Sequence, residues 1–183
     1  MVNSEPPYDG HGHGHADGRH GAESLRSAAW QSLLSGASAG VTYGAHGLWS
    51  MHRAGQAFSN IAFSNKPFDW RTALRLPGAW AMANARALFE THDLFGLGPC
   101  DQPDGQYPSI RMAANADRST LAIYAPFACD VHLTLSLDGY DLWLYDLSSM
   151  HRLNPEPITE GGLTTLVMPE VNADLLYIAK KRG

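Results

Sequence analysis

Apolar positions change their period about half way along this chain. From residue 22 to about 35, Leu25, Ala28, Ala29, Trp30, Leu33 and Leu34 recur at three- and four-residue intervals. That spacing predicts a helix buried along a wide face and stopped at Gly36. A second helix is predicted from Pro77, which suits a first helical turn, to about Thr91, with Trp80, Ala83, Ala87 and Leu88 on one face. Between them, Asp69 is placed to cap a short helix through Leu74. Two extended segments precede the helices. Residues 1–5 end at Pro6-Pro7, which cannot donate to a ladder, and Gly40-Val41-Thr42-Tyr43 ends at Gly44. Strand–helix–strand–helix order implies parallel strands joined by helical crossovers, and two strands are too few to form a stable sheet alone.

After Gly96-Leu97-Gly98-Pro99 and a polar linker over 101–107, the pattern becomes short alternating runs. Strands are predicted at 109–114, 119–125, 130–137, 140–146, 163–168 and 174–179. The clearest is the third, where Val131, Leu133, Leu135 and Leu137 alternate with His132, Thr134 and Ser136. Asn115-Ala116-Asp117 and Asp138-Gly139 supply turns. The expected fold is therefore α/β followed by all-β, with one unit over residues 1–98 and a second over 108–183.

The 183 residues are 44% hydrophobic, enough for one ordinary domain or two small ones with a buried core. A net charge of −5 without a long basic run makes nucleic acid a poor partner. No apolar run approaches the roughly 20 residues of a membrane span. The first residues have neither the basic start nor the apolar middle of a signal peptide, and the compartment stays open. Cys100 and Cys129 give neither a disulfide framework nor a zinc spacing.

Three places carry candidate chemistry. Glu5 lies where the first extended segment ends, and functional groups in parallel α/β folds gather at such ends. Stiffened by two prolines, it suits a general acid or a nucleophile; equally, it reads as a solvated loop carboxylate or a helix-capping partner. Glycoside hydrolysis normally needs a second carboxylate, and Asp9, Asp17 and Glu23 fall on a loop or helix start rather than at a strand end. His11, His13 and His15 alternate with glycine and are followed by His20. Imidazoles bind transition metals, but a glycine-rich loop is a poor frame for fixed ligands, so no metal site is assigned. Finally, Tyr43, His46 and Trp49 follow the second extended segment among permissive glycines. They form either a pocket wall or a core tyrosine and tryptophan with a structural histidine. Arg26, in mid-helix, reads as structural, placed to reach a carboxylate of the parallel strands.

Asn3-Ser4-Glu5-Pro6-Pro7-Tyr8-Asp9-Gly10, Arg26 with Ala29-Trp30, and Gly40-Val41-Thr42-Tyr43-Gly44-Ala45-His46-Gly47-Leu48-Trp49 together resemble the apiosidase-like glycoside hydrolases. Asp69-Trp70 and Leu76-Pro77-Gly78-Ala79 continue the likeness. Leu121-Ala122-Ile123-Tyr124 and Trp143-Leu144-Tyr145-Asp146 are similar to the small β-domain that follows the barrel in that family, although Leu147 stands where the family tends to have proline. The resemblance implies the C-terminal strand–helix units of a (β/α)8 TIM barrel followed by a small antiparallel β-sandwich. It implies Glu5 as one catalytic carboxylate and Asn3, Tyr8, Tyr43, His46 and Trp49 around a sugar from plant polysaccharide. No cofactor is implied. The second carboxylate would come from an earlier strand outside this sequence, so the chain is expected to be inactive alone and to self-associate through exposed barrel edges. The other reading is a non-catalytic β-sandwich module that binds carbohydrate or protein.

Overall fold

The computed structural model describes residues 1–13, 18–100 and 107–183. It is a mixture of helices and antiparallel sheets. The helices are α1 (Ala22–Leu34), the single turns α2 (Ile61–Ser64) and α3 (Trp70–Ala73), and α4 (Gly78–Thr91). Asp69 caps α3 as expected, its side chain accepting from the Arg71 N–H at 3.0 Å. The 101–106 part of the predicted polar linker, and His15 and Asp17, lie outside the described residues.

Among the described residues nine strands follow: β1 (Gly98–Pro99), β2 (Arg111–Ala114), β3 (Thr120–Ala125), β4 (Val131–Leu133), β5 (Tyr140–Asp146), β6 (Arg152–Leu153), β7 (Pro157–Glu160), β8 (Leu163–Leu166) and β9 (Leu175–Lys181). They form a six-stranded sheet ordered β1-β2-β3-β9-β5-β6 and a three-stranded sheet ordered β4-β8-β7. Every pairing between them is antiparallel. One core lies between the sheets, where Met112, Leu121, Ile123, Leu144, Leu175 and Tyr177 meet Val131, Leu133 and Leu166.

The opposite face of the six-stranded sheet is also covered. Ala122, Tyr124, Leu176 and Ile178 pack there with Trp30 and Leu34 of α1 and Ala85 and Leu88 of α4. Trp30 stacks on Tyr124 at 6.4 Å and on Phe89 at 5.6 Å between ring centroids. The central strands β3 and β9 are therefore buried on both sides. Arg26 crosses this boundary: its guanidinium donates from Nε and Nη2 to the Asp174 carboxylate, the shortest contact being 2.6 Å. The carboxylate it reaches belongs to the segment leading into β9, not to the parallel strands. Burial alone would lower the Arg26 pKa, but the hydrogen bond and charge of Asp174 outweigh it and hold it above its usual value.

The face of α4 also differs from expectation. Gly78, Ala81, Ala85 and Leu88 are its buried residues, while Trp80 is 72% exposed and Ala83 and Ala87 face outward. Alanines on both sides of the helix make either face look apolar in sequence, and packing against α1 and the sheet selects one.

Candidate active site

The two predicted extended segments lie side by side and parallel. Asn3 bridges Val41 and Asp9 bridges Ala45. The Asn3 N–H donates to the Gly40 carbonyl (3.1 Å) and the Thr42 N–H to the Asn3 carbonyl (3.1 Å). Further along, the Asp9 N–H donates to the Gly44 carbonyl and the His46 N–H to the Asp9 carbonyl, each at 2.8 Å. Between the two bridges the first segment spends residues 4–8 where its partner spends only 42–44. The excess bulges at Pro6-Pro7, where no N–H exists to continue the ladder.

Glu5 sits in that bulge and is exposed. Its own N–H donates to Asn3 Oδ1 at 3.3 Å, and Asn3 Nδ2 donates to Ser32 Oγ of α1 at 2.9 Å. Thr42 Oγ1 holds the neighbouring Ser4 carbonyl at 2.9 Å. The backbone around Glu5 is thus tied to α1 and to the second segment, while its carboxylate faces solvent.

Beyond the prolines, Tyr8 lies flat over Gly44, where a side-chain carbon would collide with the ring. This leaves the Tyr8 ring 4.9 Å from Trp49, centroid to centroid, and Trp49 is 55% exposed. His46 lies 5.1 Å from Trp49 and is only 2% exposed, its Nε2 at 3.0 Å from the Asn65 carbonyl. Gly47 takes φ of +115° against the Phe68 backbone, a conformation open to glycine and strained for other residues, and so turns the chain back toward Trp49.

Of the residues singled out in the sequence, Tyr8, His46 and Trp49 come together and Glu5 lies in the adjoining bulge. Asn3 and Tyr43 instead turn toward the helices. Tyr43 donates its hydroxyl to Asp9 Oδ2 at 3.3 Å and lines an apolar cavity of about 460 Å³ between α1 and α4. Burial first, then the Asp9 charge, push its pKa up to about 12. Asp9 is not a loop carboxylate: it is 1% exposed and accepts the Gly78 N–H at 2.7 Å, which anchors the start of α4. Burial raises its pKa despite these hydrogen bonds.

Two contributors were not visible in the sequence as members of this cluster. His11, grouped there with a glycine-rich loop, packs 4.8 Å from His46 and 5.7 Å from Phe63. Phe58 closes over His46 at 5.7 Å and His52 at 6.2 Å. The sequence signal for the cluster is the run of aromatic residues and histidines between Trp49 and Phe68. Among the described residues no three His, Cys, Asp or Glu side chains converge in a way that would hold a metal. No described helix is long and apolar enough to cross a membrane.

Comparison with known proteins gives this arrangement its context. Residues 1–96 match the model for the apiosidase-like catalytic domain. The chain belongs to that family. Eight solved chains also match, among them a glycoside hydrolase family 5 protein from Bacteroides vulgatus, 19% identical with a TM-score of 0.77. That match covers 98% of this chain but 41% of the other, so this chain spans less than half of that structure's length, and at this identity the likeness speaks to fold alone. No curated protein matches the chain.

Proposed function

We propose that this chain is the C-terminal part of a glycoside hydrolase acting on plant polysaccharide, with Glu5 one of its two catalytic carboxylates. Residues 1–98 are read as the last strand–helix units of a (β/α)8 barrel and residues 108–183 as an appended antiparallel β-sandwich. The observation that carries the reading is the position of Glu5. It is an exposed carboxylate at the end of one of two parallel segments, in the same bulge as Tyr8, whose ring packs on the half-exposed Trp49. Pyranose and furanose rings present C–H faces that stack on such aromatic shelves, while a carboxylate at the rim reaches the glycosidic oxygen or the anomeric carbon. Trp49 and Tyr8 are assigned to the shelf. His46 supports it from beneath, and Asn3 and Tyr43 hold the two segments on the helix layer.

The test is Glu5→Gln in a longer parent protein that contains the remaining strands. The amide keeps the shape of the side chain and removes its proton transfer and nucleophilicity. Turnover is expected to fall by at least about a hundredfold, the scale of losing a general acid or base. Near-normal turnover removes Glu5 from the reaction.

A further inference from the structure

His46 and His52 are 2% and 4% exposed, and each buries one ring nitrogen, His46 Nδ1 and His52 Nε2, without a hydrogen-bond partner among the described residues. For His46 the tautomer follows from geometry. Its Nε2 lies 3.0 Å from the Asn65 carbonyl, which can only accept, so the ring proton is on Nε2 and Nδ1 carries a bare lone pair. A second proton would place an N–H on a buried atom with nothing to receive it, at a desolvation cost that hydrogen bonding cannot offset.

The neighbours do not help to hold that charge. His11 lies 4.8 Å from His46 with its Nδ1 turned to the Gly12 carbonyl at 2.6 Å, and an imidazole, neutral or protonated, offers no counterion. Arg19 is already a cation, fixed over Phe68 and bonded to the Gly10 and Lys66 carbonyls. His52 faces the same Phe58 ring as His46 from another side. The acids nearby are committed elsewhere. Asp69 accepts the Arg71 and Ala54 N–H groups, and Asp9 accepts the Gly78 N–H and the Tyr43 hydroxyl. Burial, and then the positive fields of His11, Arg19 and His52, lower the His46 pKa, although its bond to Asn65 acts the other way.

His46 is also the ring on which the shelf rests, 5.1 Å from Trp49. We propose that the segment 44–69 is a proton-sensitive latch: neutral His46 seats Trp49 against Tyr8, and protonation of His46 expels its ring and frees Trp49. The link from this latch to sugar binding rests on the glycosidase reading above; the latch itself does not. The sign follows from the lowered pKa. The closed form binds fewer protons than the open one, so it is fully favoured above about 6.5, the usual imidazole value, and is lost as pH falls through the lowered pKa of His46.

The experiment needs neither substrate nor activity. In the intact chain the Trp49 indole N–H resonance is identified by its loss in Trp49→Phe and followed from pH 8 to pH 5, together with the ring nitrogens of His46. The Trp49 signal is expected to shift with a midpoint below about 6.5 that coincides with His46 protonation. Trp30, in the helix–sheet core, should not follow it. His46→Gln, whose amide can still donate to Asn65 and does not titrate, should hold Trp49 in the closed position throughout. A pH-independent Trp49 overturns the proposal, as does an unchanged transition in His46→Gln. Should that variant fail to fold, a Trp49 midpoint in the wild type that differs from that of His46, or matches His52 instead, overturns it equally.

Discussion

At the scale of the residue, the contact between Arg26 and Asp174 is the most consequential single pair. Both side chains are nearly inaccessible, and the guanidinium meets the carboxylate in a two-pronged geometry. A buried ion pair adds little net stability, because both charges leave water, but removing one partner strands the other. Arg26→Ala should therefore cost about 3–5 kcal/mol in urea unfolding. Arg26→Met combined with Asp174→Leu should recover most of that loss, since no charge is then left unpaired. Equal losses in the single and double variants would mean that packing, not charge, holds the site. The sequence presented Arg26 as structural but could not name its partner, which is separated from it by 148 positions. Asp9 was hidden for a similar reason. In sequence it follows two prolines and precedes a glycine, and only the approach of α4 turns it into a buried acceptor for Gly78.

At the scale of the element, the C-terminal end of α4 is tied to the sheet through His92, whose Nε2 lies 2.8 Å from the Tyr145 hydroxyl and whose ring packs 5.2 Å from Trp143. Burial first, then Lys180 and Arg152, lower the His92 pKa. Its contribution to stability is thus fully present above about 6.5 and declines as pH falls through the lowered value. The stability gap between wild type and His92→Gln, read from urea unfolding, should shrink between pH 7.5 and pH 5.5; a constant gap would mean that His92 does not titrate in this window. The helices themselves were legible, because their apolar spacing is local: α1, the Asp69 cap and α4 all fall where the pattern puts them. Strands with central apolar runs were legible too, but the run 130–137 is a strand only over Val131–Leu133, and its later apolar residues, Leu135 and Leu137, lie on the irregular stretch leading to the Asp138-Gly139 turn. β6 and β7 were not, because Pro157 opens an edge strand with a single large apolar residue, Ile158, which is 53% exposed. What the pattern held without disclosing its partner was the run Leu121-Ala122-Ile123-Tyr124-Ala125. It is apolar on both faces, as a strand covered from two sides must be. One side is the second sheet and the other is α1 with α4. Cut away from the helices, residues 107–183 should expose Ala122, Tyr124, Leu176 and Ile178 and bind a hydrophobic dye or associate. A monomeric fragment as stable as the intact chain would show that the helix layer adds nothing to the sheet.

At the scale of the whole molecule, the parallel pair formed by residues 2–9 and 40–46 sets what this chain can do alone. Among the described residues each segment bridges only the other, so each keeps an outer edge with unspent N–H and carbonyl groups. The same part of the molecule shows Trp80, at 72% exposure, with Ala83 and Ala87 along the outer face of α4. Edges and apolar faces of this kind are covered in a closed barrel by neighbouring strand–helix units. Catalysis of glycoside hydrolysis requires two carboxylates roughly 5 to 9 Å apart across the bond. Glu5 is exposed and is the carboxylate proposed for one of them; Asp9, the nearest in sequence, is committed to Gly78 and Tyr43 and shielded from solvent. The purified chain is therefore expected to show no turnover of aryl glycosides or of apiose-containing pectic fragments, and to self-associate through its open edge as concentration rises. Supplying the preceding strand–helix units as a separate polypeptide should reduce that association and restore turnover that Glu5→Gln abolishes. Turnover by the chain alone, lost in Glu5→Gln, would place the second carboxylate within these residues or within a pair of chains. Sedimentation of the active species would then decide between the two.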